Sequence, residues 1–138
     1  MQLSPHLYNV SISKVGVYPL QSIIEQLKTI QEKVILVNGI KSNIKEMLFD
    51  STGIHIIEKV ISCFDEYIVL TIYDTIISNF LLIANNQNGY FCIKKMIHFI
   101  KENYNINRVM FEISNNFSAL ISNRFGNISI QTAIEVNI

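Results

Sequence analysis

Apolar residues recur along this chain at spacings of three and four, and the same arrangement is written four times. With Gly16, Gly53, Gly89 and Gly126 as origins, 37, 36 and 37 residues apart, the positions three, four, seven and eight later can be compared. They hold Pro19, Leu20, Ile23 and Ile24, then Ile56, Ile57, Val60 and Ile61, then Cys92, Ile93, Met96 and Ile97, then Ser129, Ile130, Ala133 and Ile134. This is the apolar stripe of one helix, repeated. Nine residues before each glycine stand Leu7, Ile44, Phe80 and Phe117, and six before it Val10, Met47, Ile83 and Leu120, which predicts a short helix ahead of each origin. Twenty residues after the first three glycines come Leu36, Tyr73 and Val109, and twenty-four after come Ile40, Ile77 and Ile113, which predicts a third helix.

Three helices in about 36 residues cannot bury their apolar faces alone, so successive units must stack and share one core. The expected fold is therefore all-α, a right-handed α-solenoid of three-helix repeats. The expected units are residues 4–39, 40–76, 77–113 and 114–138 of one elongated domain, the last incomplete because the chain stops at Ile138, twelve residues after its glycine. The array reads as cut short. Isoleucine is abundant and favours strands, but the three-and-four spacing overrides that weak propensity. Pro19 lies three residues into its helix, where the missing N–H has no intrahelical partner.

Composition agrees, since 49% hydrophobic residues with five glycines and two prolines suit helices joined by short connections. No apolar run approaches the roughly 20 residues needed to cross a bilayer, and no basic segment followed by an apolar one opens the chain. A soluble, intracellular protein without a membrane partner is expected. Cys63 and Cys92 show no CxxC pairing and read as reduced core thiols. The formal charge is zero, so any nucleic-acid binding must be local.

The positions just after each glycine are expected to face away from the stripe. One residue after it are Val17, Ile54, Tyr90 and Asn127; two after, Tyr18, His55, Phe91 and Ile128; five after, Gln21, Glu58, Lys94 and Gln131. Positions one and five share a helical face, and stacking aligns those faces along one surface. His55 and Glu58 lie one turn apart but lack a third ligand for a metal. Cys92 and His98 fall on different helical faces, and no phosphate-loop glycines occur. Neither an enzyme nor a cofactor is expected.

The segments GVYPLQ, GIHIIEK, GYFCIKK and GNISIQ, each opening a helix once per unit, resemble the RNA-binding repeats of the Pumilio (PUF) family along nearly the whole chain. That family carries eight such repeats in a crescent, so the chain resembles half a domain. The resemblance implies that each unit binds one base of single-stranded RNA on the concave face. It implies base-edge contacts from the pairs Val17/Gln21, Ile54/Glu58, Tyr90/Lys94 and Asn127/Gln131, and stacking by Tyr18, His55, Phe91 and Ile128. Only Asn127 with Gln131 matches a family pair, the uracil reader, whose amides offer donors and acceptors together. Glu58 keeps an acceptor of the kind used toward guanine. Tyr18, His55 and Phe91 are planar and suit stacking, whereas Ile128 interrupts the series. Lys59, Lys95, Lys94 and Arg124 are within reach of phosphates. Post-transcriptional regulation of messenger RNA in the cytoplasm, with repressor or decay-factor proteins as further partners, follows from the resemblance. The alternatives are a protein-interaction solenoid, which the neutral charge favours, and a nucleolar ribosome-biogenesis relative that binds RNA through its backbone.

Overall fold

The computed structural model describes residues 6–136, so the ends of the expected units 4–39 and 114–138 lie outside the described residues. Every regular element in that span is helical, and no strand occurs among the described residues. Four five-residue helices precede the four glycines: α1 (Leu7–Ser11), α4 (Ile44–Leu48), α7 (Phe80–Ala84) and α10 (Phe117–Ile121). Ten-residue helices start at or just after those glycines: α2 (Val17–Gln26), α5 (Ile54–Cys63), α8 (Tyr90–Phe99) and α11 (Gly126–Glu135). The third class comprises α3 (Ile30–Ile40), α6 (Leu70–Ser78) and α9 (Asn103–Asn115). A 3-10 turn, Lys41–Asn43, joins α3 to α4.

The glycines are required by close approach. Gly16, Gly53 and Gly89 have φ of −84°, −61° and −79°, values open to any residue. At Gly89, however, an added Cβ would stand 2.9 Å from both Cγ2 and the carbonyl oxygen of Ile83. Each short helix thus rests its backbone on the start of the helix that follows, with Val10, Met47, Ile83 and Leu120 at the contacts. The turn between them has a signature of its own. Three residues before each glycine, Ser13 Oγ, Asp50 Oδ1, Asn86 Oδ1 and Asn123 Oδ1 each accept from the glycine N–H and from the N–H before it, at 2.6–3.3 Å. A small side chain with an oxygen acceptor satisfies donors that an incoming helix leaves orphaned.

Helices α2, α5, α8 and α11 stack side by side in that order and form one row. Helices α6 and α9 pack together on the other side of the short helices. The core runs without interruption between the two sides. Leu20, Ile24, Ile56, Ile57, Val60, Ile61, Cys92, Ile93, Met96 and Ile97 fill it from the row, and Leu36, Ile40, Tyr73, Ile77, Val109 and Ile113 from the third helices. Each fully buried Ile or Leu contributes roughly 1.5–3 kcal/mol. The repeated stripe is therefore the core, with informative exceptions. Ile134 and Phe117 are exposed at 69% and 47%, whereas the equivalent residues of the preceding units, Ile97 and Phe80, are buried, and Pro19, counted with the stripe of the first unit, is exposed at the start of α2. Cys63 is also exposed, which corrects the expectation of a core thiol; only Cys92 is buried.

Side chains also tie one unit to the next. Glu66 lies between α5 and α6, yet its carboxylate accepts from the Lys101 and Glu102 backbone N–H groups and from Asn105 Nδ2 at 2.7 Å. It fixes the entry into α9, a whole repeat away. Thr29 and Glu32 form a capping box at the start of α3, and the backbone and hydroxyl bonds from Thr29 hold the Glu32 carboxyl below its ordinary value.

Candidate nucleic-acid interface

The exposed side of the α2–α5–α8–α11 row carries most of the residues singled out by sequence. Position two after the glycine points outward in three units: Tyr18 is 71% exposed, His55 is exposed, and Phe91 is 39% exposed. Ile128 is half-buried. Between His55 and Phe91 lies a depression of about 260 Å³, lined also by Ser51, Ile54, Glu58, Gln87, Asn88 and Tyr90. A second depression brings Gln21, His55, Glu58, Lys59, Ser62 and Lys95 together from three successive helices. The alignment expected from the period, with side chains of different units sharing one surface, is present.

The position one after the glycine behaves differently. Val17 and Ile54 are each only 3% exposed and belong to the core, which corrects the expectation that this position faces away from the apolar stripe. The reason is chemical: an aliphatic side chain at the rim turns inward because the adjacent helix of the row offers it an apolar wall. Neither has a hydrogen-bonding atom to offer a base. Tyr90 is half-buried and stacks on Phe125 of the next unit, with centroids 5.1 Å apart and planes inclined by 30°. Asn127 remains half-buried and Gln131 exposed, so the one family-like pair keeps its polar atoms at the surface.

The polar groups are unevenly committed. His55 Nδ1 stands 3.5 Å from Glu58 Oε2. Burial pushes the Glu58 carboxyl up from its ordinary value, opposed by His55 and, more weakly, by Lys95. A carboxylate whose charge is disfavoured on an open face is a ready acceptor for a ligand's N–H donors. Lys59 is paired with Glu25 of α2, the preceding helix of the row, so its ammonium is already neutralised rather than free for a phosphate. Arg124 lies over the Phe125 ring at 5.1 Å and Lys94 over the Phe91 ring at 5.6 Å. Lys95 makes no ion pair among the described residues. Sequence reasoning missed Ser51, Gln87 and Asn88, which lie one or two residues before a glycine and line the His55–Phe91 depression. The same glycine offsets, counted backwards, would have found them.

Among the described residues no group of three or more His, Cys, Asp or Glu side chains is placed to hold a metal, and no helix is long and apolar enough to cross a membrane. Burial raises the Cys92 thiol well above its ordinary value, leaving it unreactive.

Comparison with solved structures decides the architecture. The Puf4 RNA-binding domain, solved bound to the HO endonuclease RNA 3′ UTR recognition sequence, superposes with a TM-score of 0.91 over 96% of this chain, at 23% identity. The chain folds as a Pumilio repeat array. A yeast Puf5p RNA-binding domain bound to AAT2 RNA matches 94% of the chain with a TM-score of 0.85 and 23% identity. In sequence, a Pumilio domain-containing protein of Schizosaccharomyces pombe is 24% identical over 135 residues, 98% of this chain. The Pumilio-type array here spans 20% of that protein and 41% of the Puf4 chain. No family model matches the sequence.

Proposed function

We propose that the chain binds single-stranded RNA, as the Puf4 and Puf5p domains it resembles are bound to RNA, and that it does so along the exposed side of the α2–α5–α8–α11 row. The observation that carries the reading is the alignment of Tyr18, His55 and Phe91 at one repeat offset, exposed on one surface of a Pumilio fold. Each ring offers a base-stacking platform of roughly 1–3 kcal/mol that tolerates any base. Edge reading is confined to Asn127 with Gln131, to Glu58, and to the single amide of Gln21. Recognition is then dominated by stacking and selective at few positions, one base to a unit where the pair permits. The biological role that fits is regulation of messenger RNA after transcription, in the cytoplasm, through proteins recruited to the bound transcript. One experiment tests this: binding to a randomised single-stranded RNA pool with and without Tyr18, His55 and Phe91 changed to alanine. Enrichment lost in the triple variant is expected, and enrichment indifferent to it overturns the stacking model.

A protein-interaction solenoid is the second reading, favoured by one feature of the opposite side. Between α6 and α9 runs a groove of about 440 Å³ whose lining joins Ile77, Tyr104 and Phe111 to the polar Ser78, Asn107, Arg108 and Glu112, with Tyr104 and Phe111 exposed at 73% and 63%. Such a groove suits an apolar segment of another protein.

A further inference from the structure

The third unit departs from the others in how it uses the row. Its edge-reading position is occupied by Tyr90, whose ring is held against Phe125 and edge-on to Phe91 at 5.8 Å. A half-buried aromatic ring thus takes the offset at which the last unit carries the short amide of Asn127. Four residues on, the partner position holds Lys94, a donor with no acceptor, lying over the Phe91 ring. Just beyond, between α8 and α11, is a depression of about 280 Å³ whose lining includes Phe91, Lys94, Lys95, His98, Thr132 and Glu135. Lys94, Lys95 and His98 converge there from one helix, and Glu135 is the one carboxylate in the lining. Neither lysine has an ion-pair partner among the described residues, whereas Lys59, the residue equivalent to Lys95 in the preceding unit, is neutralised by Glu25.

We propose that this depression is an anion site that grips a phosphodiester of the bound RNA, so that the third unit holds the strand by its backbone and does not read a base edge. The inference rests on the RNA-binding reading above. Two ammonium groups beside an aromatic wall suit a nucleotide whose base lies on Phe91 while its phosphate meets Lys94 and Lys95. Lysine supplies point charge to a phosphate without demanding a fixed geometry, which suits a contact that positions the strand. In a chain of zero formal charge, two adjacent lysines outside any ion pair among the described residues, with Lys95 only weakly opposed by Glu58, form a local attraction that the overall field does not provide.

The test uses RNA enriched by the unaltered chain, with affinity measured across a salt series for that chain and for the double variant Lys94→Ala/Lys95→Ala. Circular dichroism and thermal melting check that the variant is folded, and both chains are also measured on RNAs carrying one uncharged methylphosphonate linkage at each position in turn. The salt slope is expected to fall by about 1 in the double variant. A methylphosphonate at one linkage should weaken the unaltered chain and leave the variant indifferent, while base preferences stay the same. An unchanged slope, or a loss of base preference at one nucleotide with the slope retained, overturns the phosphate assignment; the second result would make Lys94 an edge reader. Should the unaltered chain enrich no RNA, both readings fall. Enrichment that depends on Tyr18, His55 and Phe91 but not on the two lysines removes this inference alone.

Discussion

At the residue scale, the candidate interface is a set of side chains whose chemistry depends on what each one already touches. Val17 and Ile54 occupy the offset of a base-edge reader, but burial removes them from it. Lys59 has the charge for a phosphate and spends it on Glu25. Glu58 is the converse case, a carboxyl on an accessible surface whose ionised form is disfavoured by partial burial. The sign of its effect on stability follows. Because the folded value is raised, ionisation costs nothing below the ordinary value of 4.5 and destabilises the fold as pH rises through the raised value. Glu58→Gln is therefore expected to raise the urea midpoint at pH 7 and to lose that advantage in acid, while weakening any RNA base that donates hydrogen bonds to the carboxylate. Paired denaturation curves at the two pH values check the first effect.

At the scale of elements, the turn from short helix to row helix is the most constrained part of each unit. A side-chain oxygen accepts two backbone N–H groups, the second of them the glycine's own, and that glycine packs against the backbone of the short helix. The absence of a side chain on the glycine is what allows this. Gly126 is the tightest of the four, since an added Cβ would overlap Asn85 Oδ1 and approach the Leu120 carbonyl oxygen to 2.9 Å. That Asn85 oxygen is buried without a hydrogen-bond partner, so displacing it also disturbs a group with no alternative contact. Gly126→Ala is expected to destabilise by about 1–3 kcal/mol, even though alanine favours helix by up to about 1 kcal/mol. Urea denaturation checks it, with Gly53→Ala as the milder comparison, where the nearest atoms are 3.3 Å away. The glycine period was legible in the sequence. Its cause was not, because the atoms that forbid a Cβ belong to the neighbouring helix, and for Gly126 to the neighbouring unit.

On the scale of the whole molecule, stability is carried across units as well as within them. The α2, α5, α8 and α11 row and the continuous core make each unit a wall for the next. Glu66 adds a polar staple between units. Its loss would leave the N–H groups of Lys101 and Glu102, which lead into α9, and the Asn105 amide, buried to 2% exposure, without their acceptor. Glu66→Ala is expected to cost about 1–3 kcal/mol, with faster amide exchange at Lys101 and Glu102, and Glu66→Gln to recover part of it through its remaining oxygen. The sequence alone determined the array: four origins, three helix classes and most of the residues of the core, because helical periodicity and a backbone contact repeated in every unit leave the same mark at the same offset. It also put Tyr18, His55 and Phe91 on one surface, since stacking identical units must align identical positions. Only the tertiary structure decided which of the aligned positions remain free to meet a ligand. Whether Val17 turns inward, Lys59 is neutralised or Tyr90 leans on Phe125 depends on residues one repeat away, where a neighbour's shape and charge compete with solvent for each side chain.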